Sequence, residues 1–369
     1  MRNRHVTLCL CGDVMLGRGI DGILPHPGDP SLREGFVRDA GEYVRLAEEA
    51  NGSIPRPVGF RWPWGDALDV LDAEAPDARV VNLETGITTC DDFEPFKAVH
   101  YRMHPDNIPC LEAVRPDVCV LANNHVLDFG RTGLADTLDA LHGAGLRTAG
   151  AGSDLEEARR AAVVPVGEDG RVVVFAQGMP SSGVPPGWAA TANRSGVDFT
   201  HEGSERNVAE LLERVGRVKR PGDVVVTSLH WGSNWGHDIE PAQTRYARRL
   251  IDGGVDVVHG HSSHHPRAIH VYRNKLILYG CGDCVDDYEG IRGYESYRDD
   301  LRLLYFATVA SDTGELVGLR MAPLRAVKMR LRRAARVDVE WLAATLTRAG
   351  HPFGTEVRAE PDDRLTLHR

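Results

Sequence analysis

Short apolar runs rich in β-branched residues recur along this chain and alternate with helix-like segments. Runs with the length and composition of strands lie at 6–11, 79–83, 118–121, 172–176, 224–229, 255–259, 276–279 and 303–309. Helical patterns lie at 132–144, 155–162, 204–218, 241–253 and 337–349. This alternation predicts a largely buried sheet flanked by helices, and therefore an α/β fold.

Two regions interrupt the alternation. Residues 22–65 are rich in proline and glycine, and we expect an insertion there with one helix near 39–50. Residues 178–203 form a second long loop, and loops of this length inside a domain are often lids of binding sites. We predict a single domain over 1–330, then a C-terminal helix and tail at 331–369, with about the last 20 residues poorly ordered.

Composition limits the classes of partner. The net charge of −10 over 369 residues argues against a general nucleic-acid binder and against docking on an anionic membrane. No stretch approaches the ~18 apolar residues of a membrane span, and the first apolar run is too short for a secretory leader. Seven cysteines, an odd number, fit a reducing compartment. We therefore expect a cytoplasmic protein, and we interpret the pair Cys281 and Cys284 as small core residues at a strand end.

Polar side chains follow five of the predicted strands. The segments are Gly12-Asp13, Asn82-Leu83-Glu84, Ala122-Asn123-Asn124-His125, His230-Trp231-Gly232 and His259-Gly260-His261. The last one opens a stretch with four histidines in seven positions. Ligands of α/β sheets bind at the carboxyl ends of the strands, and carboxylates, amide oxygens and imidazoles are ligands of Zn, Mn and Fe. The sequence therefore predicts a divalent metal site, holding Mn, Fe or Zn, at this edge.

Each of these residues also has a purely structural interpretation. Asp13 could cap a turn or helix, Glu84 could be a buried salt-bridge partner, and Asn124 could occupy a left-handed turn position. His230 could be a packed core histidine, and the histidine-rich stretch could be an ordinary surface loop. These structural interpretations would have to hold independently at each position. One shared metal centre explains all of these residues with a single cause.

The same segments carry a family resemblance once their neighbours are included. They read GDVMLGR at 12–18, NLE at 82–84, ANNHVLDFG at 122–130, HWG at 230–232 and GHSSH at 260–264. In this order, over about residues 6–310, the chain resembles the poly-γ-glutamate capsule biosynthesis (CapA/PgsA-like) family, which itself resembles the calcineurin-like metallophosphoesterases. The resemblance implies an α/β/β/α sandwich, with two mixed β-sheets flanked by helices.

The resemblance also implies roles residue by residue, around one or two divalent ions. The implied metal ligands are Asp13, Glu84 as the bridging carboxylate, Asn124 through its amide oxygen, His230, His261 and His264. His125 stays off the metal as leaving-group acid or transition-state donor. Asp128, three residues later, could orient His125, or it could equally cap the helix that starts near residue 132.

Departures from the superfamily pattern affect one of the two metal positions. Metallophosphoesterases begin with Asp-x-His, whereas this chain has Met15, a poor ligand for a hard cation. One position keeps Glu84, Asn124, His230 and His261. The other keeps only Asp13, Glu84 and His264, so we expect it to be weaker, to use a replacement ligand or to be empty. Capsule proteins of this type commonly carry an N-terminal membrane anchor, which the expected cytoplasmic protein would lack.

Three hypotheses for function follow. The first is a metal-dependent hydrolase of a phosphoester or related anionic substrate, with Arg18 and Arg102 as candidates to bind the anion and His265 as a spare imidazole that orients it. Either arginine could instead be a simple surface residue. The second is an enzyme that processes amide bonds or polyglutamate-like chains. The third is a non-catalytic accessory protein that binds an acidic polymer, although the negative net charge mildly disfavours a polyanionic partner.

Overall fold

The computed structural model describes residues 5–95 and 97–369. Its strands are β1 His5–Val14, β2 Ala78–Leu83, β3 Gly86–Ile87, β4 Arg102–Met103, β5 Val118–Val120, β6 Arg147–Ala149, β7 Ala151–Gly152, β8 Ala162–Val166, β9 Gly170–Gly178, β10 Gly196–Val197, β11 Asp223–His230, β12 Val257–His261, β13 Ile269–Tyr272, β14 Lys275–Leu278, β15 Asp283–Val285, β16 Leu301–Ala310, β17 Leu316–Ala326, β18 Leu331–Arg333, β19 Glu356–Ala359 and β20 Leu365–His368. Its helices are α1 Gly19–Ile23, α2 Gly41–Asn51, α3 Ala67–Glu74, α4 Ile108–Glu112, α5 Gly130–Gly143, α6 Leu155–Ala158, α7 Glu205–Val218, α8 Pro241–Asp252 and α9 Arg336–Gly350.

The predicted α/β class is confirmed, and each apolar run chosen from the sequence overlaps a strand. Several boundaries were wrong, among them the end of the first strand, which reaches Val14, and the two that follow. The strand expected at 255–259 is β12, which begins two residues later and reaches His261. The helix expected at 155–162 ends at Ala158, because Ala162 already begins β8.

The larger sheet has the strand order β19-β20-β17-β16-β1-β2-β5-β6, with β15 beside the end of β1 and β18 beside β17. Strands β1, β2, β5 and β6 run parallel to one another, while β16 pairs antiparallel with β1. The smaller sheet has the order β13-β14-β12-β11-β9-β8, in which β9, β11, β12 and β14 are parallel. Both sheets are therefore mixed, with a parallel centre.

Three hydrophobic cores separate the layers. The middle core joins the two sheets, because it combines Leu8 and Val80 of the larger sheet with Val174 and Val226 of the smaller one. On the outer face of the larger sheet, alternate residues such as Cys9 pack in a core with α2, α3 and α5. On the outer face of the smaller sheet, α7 and α8 cover a core of their own. Since the central strands are buried on both faces, their sequences read as continuous apolar runs.

Capping residues determine where the two helices that cover the smaller sheet begin. Ser204 caps α7, its hydroxyl accepting a hydrogen bond from the N–H of Asn207 at 3.2 Å. Helix α8 begins with a capping box at Glu240 and a proline at its first turn. Cys281 and Cys284 are buried in two different cores, in agreement with their interpretation as core residues.

The prediction of a poorly ordered tail is wrong. Residues 356–359 and 365–368 form β19 and β20, and β20 pairs with β17 through Met321 and Leu365. Val357 and Leu365 are buried in the middle core. The division of the chain into 1–330 and 331–369 stays a prediction. Within residues 5–95 and 97–369, no helix combines the length and apolarity needed to cross a membrane, and the cytoplasmic location also stays a prediction.

We predict that Leu365→Ala destabilises the protein by about 2–5 kcal/mol, because it opens a cavity beneath the last strand. Leu365 is fully buried, whereas Val317 on the neighbouring strand β17 is 51% exposed. Val317→Ala should therefore change the free energy of unfolding by less than about 0.5 kcal/mol. Urea unfolding measures both changes. Equal unfolding midpoints for the two variants would contradict the packing of the last strand in the middle core.

Candidate metal centre

The carboxyl ends of the central strands of both sheets meet at one edge. His259 on β12 donates from Nε2 to the carbonyl oxygen of Cys11 on β1, at 2.8 Å. The N–H of Ser262 donates to Oδ2 of Asp13 at 3.2 Å. These contacts tie β12 to β1, so that Nδ1 of His261 lies 3.8 Å from Oδ1 of Asp13. Residues that are far apart in sequence thus reach a common site.

Five of the predicted ligands form one group, in which Asn124 is half-buried and the other four are buried. Candidate ligand atoms of Asp13, His230 and His261 all lie within 4.8 Å of one another. His230 places Nδ1 2.9 Å from Nδ1 of His261 and Nε2 2.9 Å from Oδ1 of Asn124. The same Nε2 lies 3.7 Å from Oε1 of Glu84. The structure therefore brings together the four residues expected at one metal position, with Asp13 beside them.

A cation would offset the cost of burying the carboxylates of this group. Burial lowers the pKa of His230 and of His261 well below the ordinary value, so both imidazoles are neutral, the form that binds metal. Burial and the charge of Asp283 raise the pKa of Asp13 to about 7. Burial and the charge of Asp13 raise the pKa of Glu84 well above its usual range. Clustered carboxylates beside neutral imidazoles are a donor set that fits Zn, Mn or Fe.

Hydrogen bonds from neighbouring polar residues hold these ligands in place. Asn82 donates from Nδ2 to Oδ1 of Asp13 at 2.7 Å and to Oε2 of Glu84 at 3.1 Å. Ser228 contacts Nε2 of His261 at 2.8 Å, which leaves Nδ1 facing the group. We did not assign roles to Asn82 or Ser228 from the sequence. Their positions in the sequence could have indicated that they contact the ligands. Asn82 lies two residues before Glu84 and Ser228 two residues before His230, and residues two apart along a strand point to the same face.

His125 faces the same group from beside the ligands. Its Nδ1 lies 2.6 Å from Oδ2 of Asp128, and its Nε2 lies 3.8 Å from Oε1 of Glu84. Asp128 also accepts a hydrogen bond from the N–H of Tyr101 at 2.7 Å. Helix α5 has no side-chain cap at its N-terminus, so the contacts of Asp128 favour orientation of His125 over helix capping.

Lys97 completes this arrangement, although no pattern in the sequence singled it out. Its Nζ lies 2.9 Å from Nδ1 of His125, forms an ion pair with Asp128 and donates to the carbonyl oxygen of Asn124. Burial raises the pKa of Asp128 to about 6. Burial and the charge of Lys97 lower the pKa of His125 well below its ordinary value. The ring is therefore fixed on its Nδ1 side and open on its Nε2 side.

A second buried group lies next to the first. Candidate ligand atoms of Asp13, His264 and Asp283 also lie within 4.8 Å of one another. His264 places Nδ1 2.9 Å from Oδ1 of Asp283. We did not predict Asp283 from the sequence as a site residue. The signal available was that Gly282-Asp283 repeats the pair Gly12-Asp13.

Arg18 and Arg102 both pair with acidic residues of the chain. The guanidinium of Arg18 also lies 4.4 Å over the ring of Tyr101, which meets the ring of His125 at 4.4 Å. Arg18 is buried and forms ion pairs with Glu34 at 2.8 Å and with Asp287. Arg102 pairs with Asp91 at 2.6 Å. Both arginines line a cavity of about 230 Å³ beside the predicted insertion. Their role in binding an anionic substrate stays a prediction.

His265 is packed among aromatic rings. Its ring stacks on Tyr297 at a centroid distance of 4.6 Å and meets the ring of His237 at 4.5 Å. Burial lowers the pKa of His265 to about 3. The role of this histidine in orienting a substrate also stays a prediction.

Comparison with known proteins identifies the family. Residues 7–288 match the family model described as bacterial capsule synthesis protein PGA_cap. A probable polyglutamine synthesis accessory protein of Mycobacterium tuberculosis is 56% identical over 363 residues, covering 98% of this chain and 96% of the relative. The PGA biosynthesis protein CapA of Bacillus subtilis is 28% identical over 295 residues, covering 80% of this chain and 66% of the relative. The capsule biosynthesis protein CapA of Bacillus anthracis is 25% identical over 307 residues, covering 82% and 64%.

These matches confirm the resemblance that the strand-end motifs indicated. The matched region contains the ligand group, His125 and Asp283. The chain belongs to the bacterial capsule synthesis protein (PGA_cap) family.

Proposed function

We propose that this protein is a metal-dependent hydrolase that acts on a phosphoester or a related anionic substrate. The observation that carries the proposal is that a histidine outside the ligand group faces it. Nε2 of His125 lies 3.8 Å from Glu84, and Glu84 lies 3.7 Å from His230. A purely structural polar cluster has no need of an oriented imidazole with an open nitrogen.

The layered packing supports this assignment. The two mixed sheets share a middle core, and helices pack against both outer faces. We propose that the fold is the α/β/β/α sandwich of the calcineurin-like metallophosphoesterases. Ligands of α/β sheets bind at the carboxyl ends of the strands, which is where the ligand group lies here.

In the proposed mechanism, Glu84, Asn124, His230 and His261 hold the cation, with Asp13 beside them. A divalent cation at such a site lowers the pKa of water and polarises the oxygen of a scissile bond. His125 gives a proton or a hydrogen bond from Nε2 to the leaving oxygen. Asp128 and Lys97 orient the ring from its Nδ1 side, so that Nε2 faces the ligand group.

The names of the relatives point to a pathway for this chemistry. We propose that the protein serves in the biosynthesis of a glutamate polymer of the capsule type, because two relatives are named for capsule or PGA biosynthesis and a third for polyglutamine synthesis. The anionic substrate would then be a phosphorylated intermediate or the polymer chain itself.

A second candidate function is an accessory protein that binds an acidic polymer without turnover. The word accessory in the name of the Mycobacterium tuberculosis relative favours it. The contacts that orient His125 argue against it, because binding without turnover needs no positioned imidazole.

We predict that His261→Ala lowers bound metal by at least tenfold, whereas His265→Ala leaves it unchanged. Both histidines are buried, with 1% and 0% exposure, but only His261 lies in the ligand group. Replacing His265 thus controls for the loss of a buried imidazole. Metal content of the purified, reconstituted variants measures the difference, and equal losses would show that the ligand assignment is wrong.

We predict that His125→Ala lowers kcat by ~10²–10⁴ without lowering metal content, because general acid catalysis contributes a factor of that size. Asp128→Asn should lower kcat by ~10–100, as loss of an orienting carboxylate does. The substrate panel consists of aryl phosphate monoesters, aryl phosphate diesters and γ-glutamyl oligomers.

The panel also separates the candidate functions. Cleavage of the phosphate esters supports the phosphoesterase assignment, and cleavage of the γ-glutamyl oligomers alone would replace it with amide hydrolysis. Metal-loaded protein that binds polyglutamate but turns over no member of the panel would support the accessory role. Protein that stays metal-free after reconstitution would overturn the hydrolase proposal.

A further inference from the structure

We propose that Asp283 is the replacement ligand of a second divalent metal position, which it forms with Asp13 and His264. The inference rests on the proposed function and extends it from one cation to two. The sequence leaves the second metal position without one ligand, because Met15 stands where the resembled metallophosphoesterases have a histidine. The inference supplies that missing ligand.

Strand pairing brings Asp283 to the site. At its carboxyl end β1 lies between β2 and β15, with Asp13 in register with Asn82 on one side and with Asp283 on the other. Residues in register on neighbouring parallel strands point to the same face, about 4.8 Å apart. The hydrogen bond of 2.7 Å from Asn82 to Asp13 shows that this row faces the ligand group.

Two glycines permit the pairing. A Cβ on Gly12 would lie 1.5 Å from the carbonyl oxygen of Gly282, so any other residue there would push β15 away from β1. Gly282 itself has φ of 77°, a left-handed conformation that favours glycine. The repeated pair Gly-Asp thus has a physical reason, since each glycine lets the following aspartate reach the same point.

The side chain of Asp283 is buried but incompletely satisfied. It has 0% exposure, and within the described part of the chain its Oδ2 has no hydrogen-bond partner. Its Oδ1 contacts Nδ1 of His264 at 2.9 Å. The nearby Arg302 pairs with Asp286, at 2.5 Å, and so is engaged elsewhere. Without a metal, the ion pair with His264 offsets the charge of Asp283 but leaves Oδ2 without a partner among the described residues. A cation that takes the place of the proton on His264, and that Asp13 also contacts, would satisfy both oxygens.

The chemistry of the three ligands suits the same metals as the first position. Two carboxylates and one imidazole form a hard to borderline donor set, which fits Mn, Fe or Zn. Because Asp13 belongs to both groups, two ions bound together would share it or lie on either side of it. We therefore expect the two ions to be close neighbours.

The test uses Mn²⁺ alone on the metal-free full-length protein. Equilibrium dialysis counts bound ions, and electron paramagnetic resonance distinguishes a spin-coupled pair from an isolated ion. We expect two ions per chain and a coupled signal for the wild type. Asp283→Asn should lower the affinity for the second ion by ~10–100-fold, which leaves one bound ion with an isolated six-line signal.

Two controls keep the result interpretable. Asp256 is also buried and ion-paired, with Lys219 and Lys275, but it precedes β12 at the end opposite to His261. Asp256→Asn should therefore keep two ions. Thermal unfolding of the metal-free variants checks folding, and Asp283→Ser replaces Asp283→Asn if the latter does not fold.

The outcomes separate this inference from the proposed function. Two ions bound with wild-type affinity by Asp283→Asn would overturn the inference, and so would a wild type that binds one ion only. In both cases the hydrolase proposal would stand on the first position. A wild type that binds no ion would overturn the proposed function itself.

Discussion

The burial of carboxylates beside one another is the constraint on which the site depends. Asp13, Glu84 and Asp283 have 0%, 2% and 0% exposure, and they come from strand ends that meet at one edge. An ionised carboxylate in a dry interior costs several kcal/mol unless opposite charge or hydrogen bonds offset it. The hydrogen bonds from Asn82 and Ser262 offset part of that cost for Asp13. A bound cation, as proposed, would offset the remainder, and the donor set, the buried neutral histidines and the strand register would then all serve one requirement.

Much of this site could be predicted from the sequence because its signals are local. An apolar run that ends in Asp, Asn or His identifies a strand. It also identifies the sheet edge at which the side chain of that polar residue will lie. Asp283 was not predicted as a site residue because its position beside Asp13 depends on which distant strand β15 pairs with, and the repeated Gly-Asp pair alone does not report that pairing. Lys97 lies outside regular structure and reaches His125 only through tertiary packing, so the sequence around it carries no periodic signal.

The same limit explains the errors in the fold. Strands β19 and β20 are four residues long and bury one side chain each, a pattern that polar loops also show. They are ordered because Val357 and Leu365 reach the middle core. Residue type was equally uninformative for Arg18 and His265, since guanidinium and imidazole groups serve ligand binding and internal packing alike. Burial decides between the two uses, and burial is a property of the whole fold.

The two ligand groups depend on different parts of the architecture. The first draws residues from the ends of β2, β5, β11 and β12, so its geometry depends on how the two sheets pack together. The second depends on the pairing of β1 with β15, which the close approach of Gly12 to Gly282 permits. Asp13 belongs to both, because β1 is central in the larger sheet and is tied to β12 through Cys11 and His259. In the proposed second position, Asp283 of the neighbouring strand thus takes the place of a histidine near the end of β1 without changing the packing between the sheets that forms the first group.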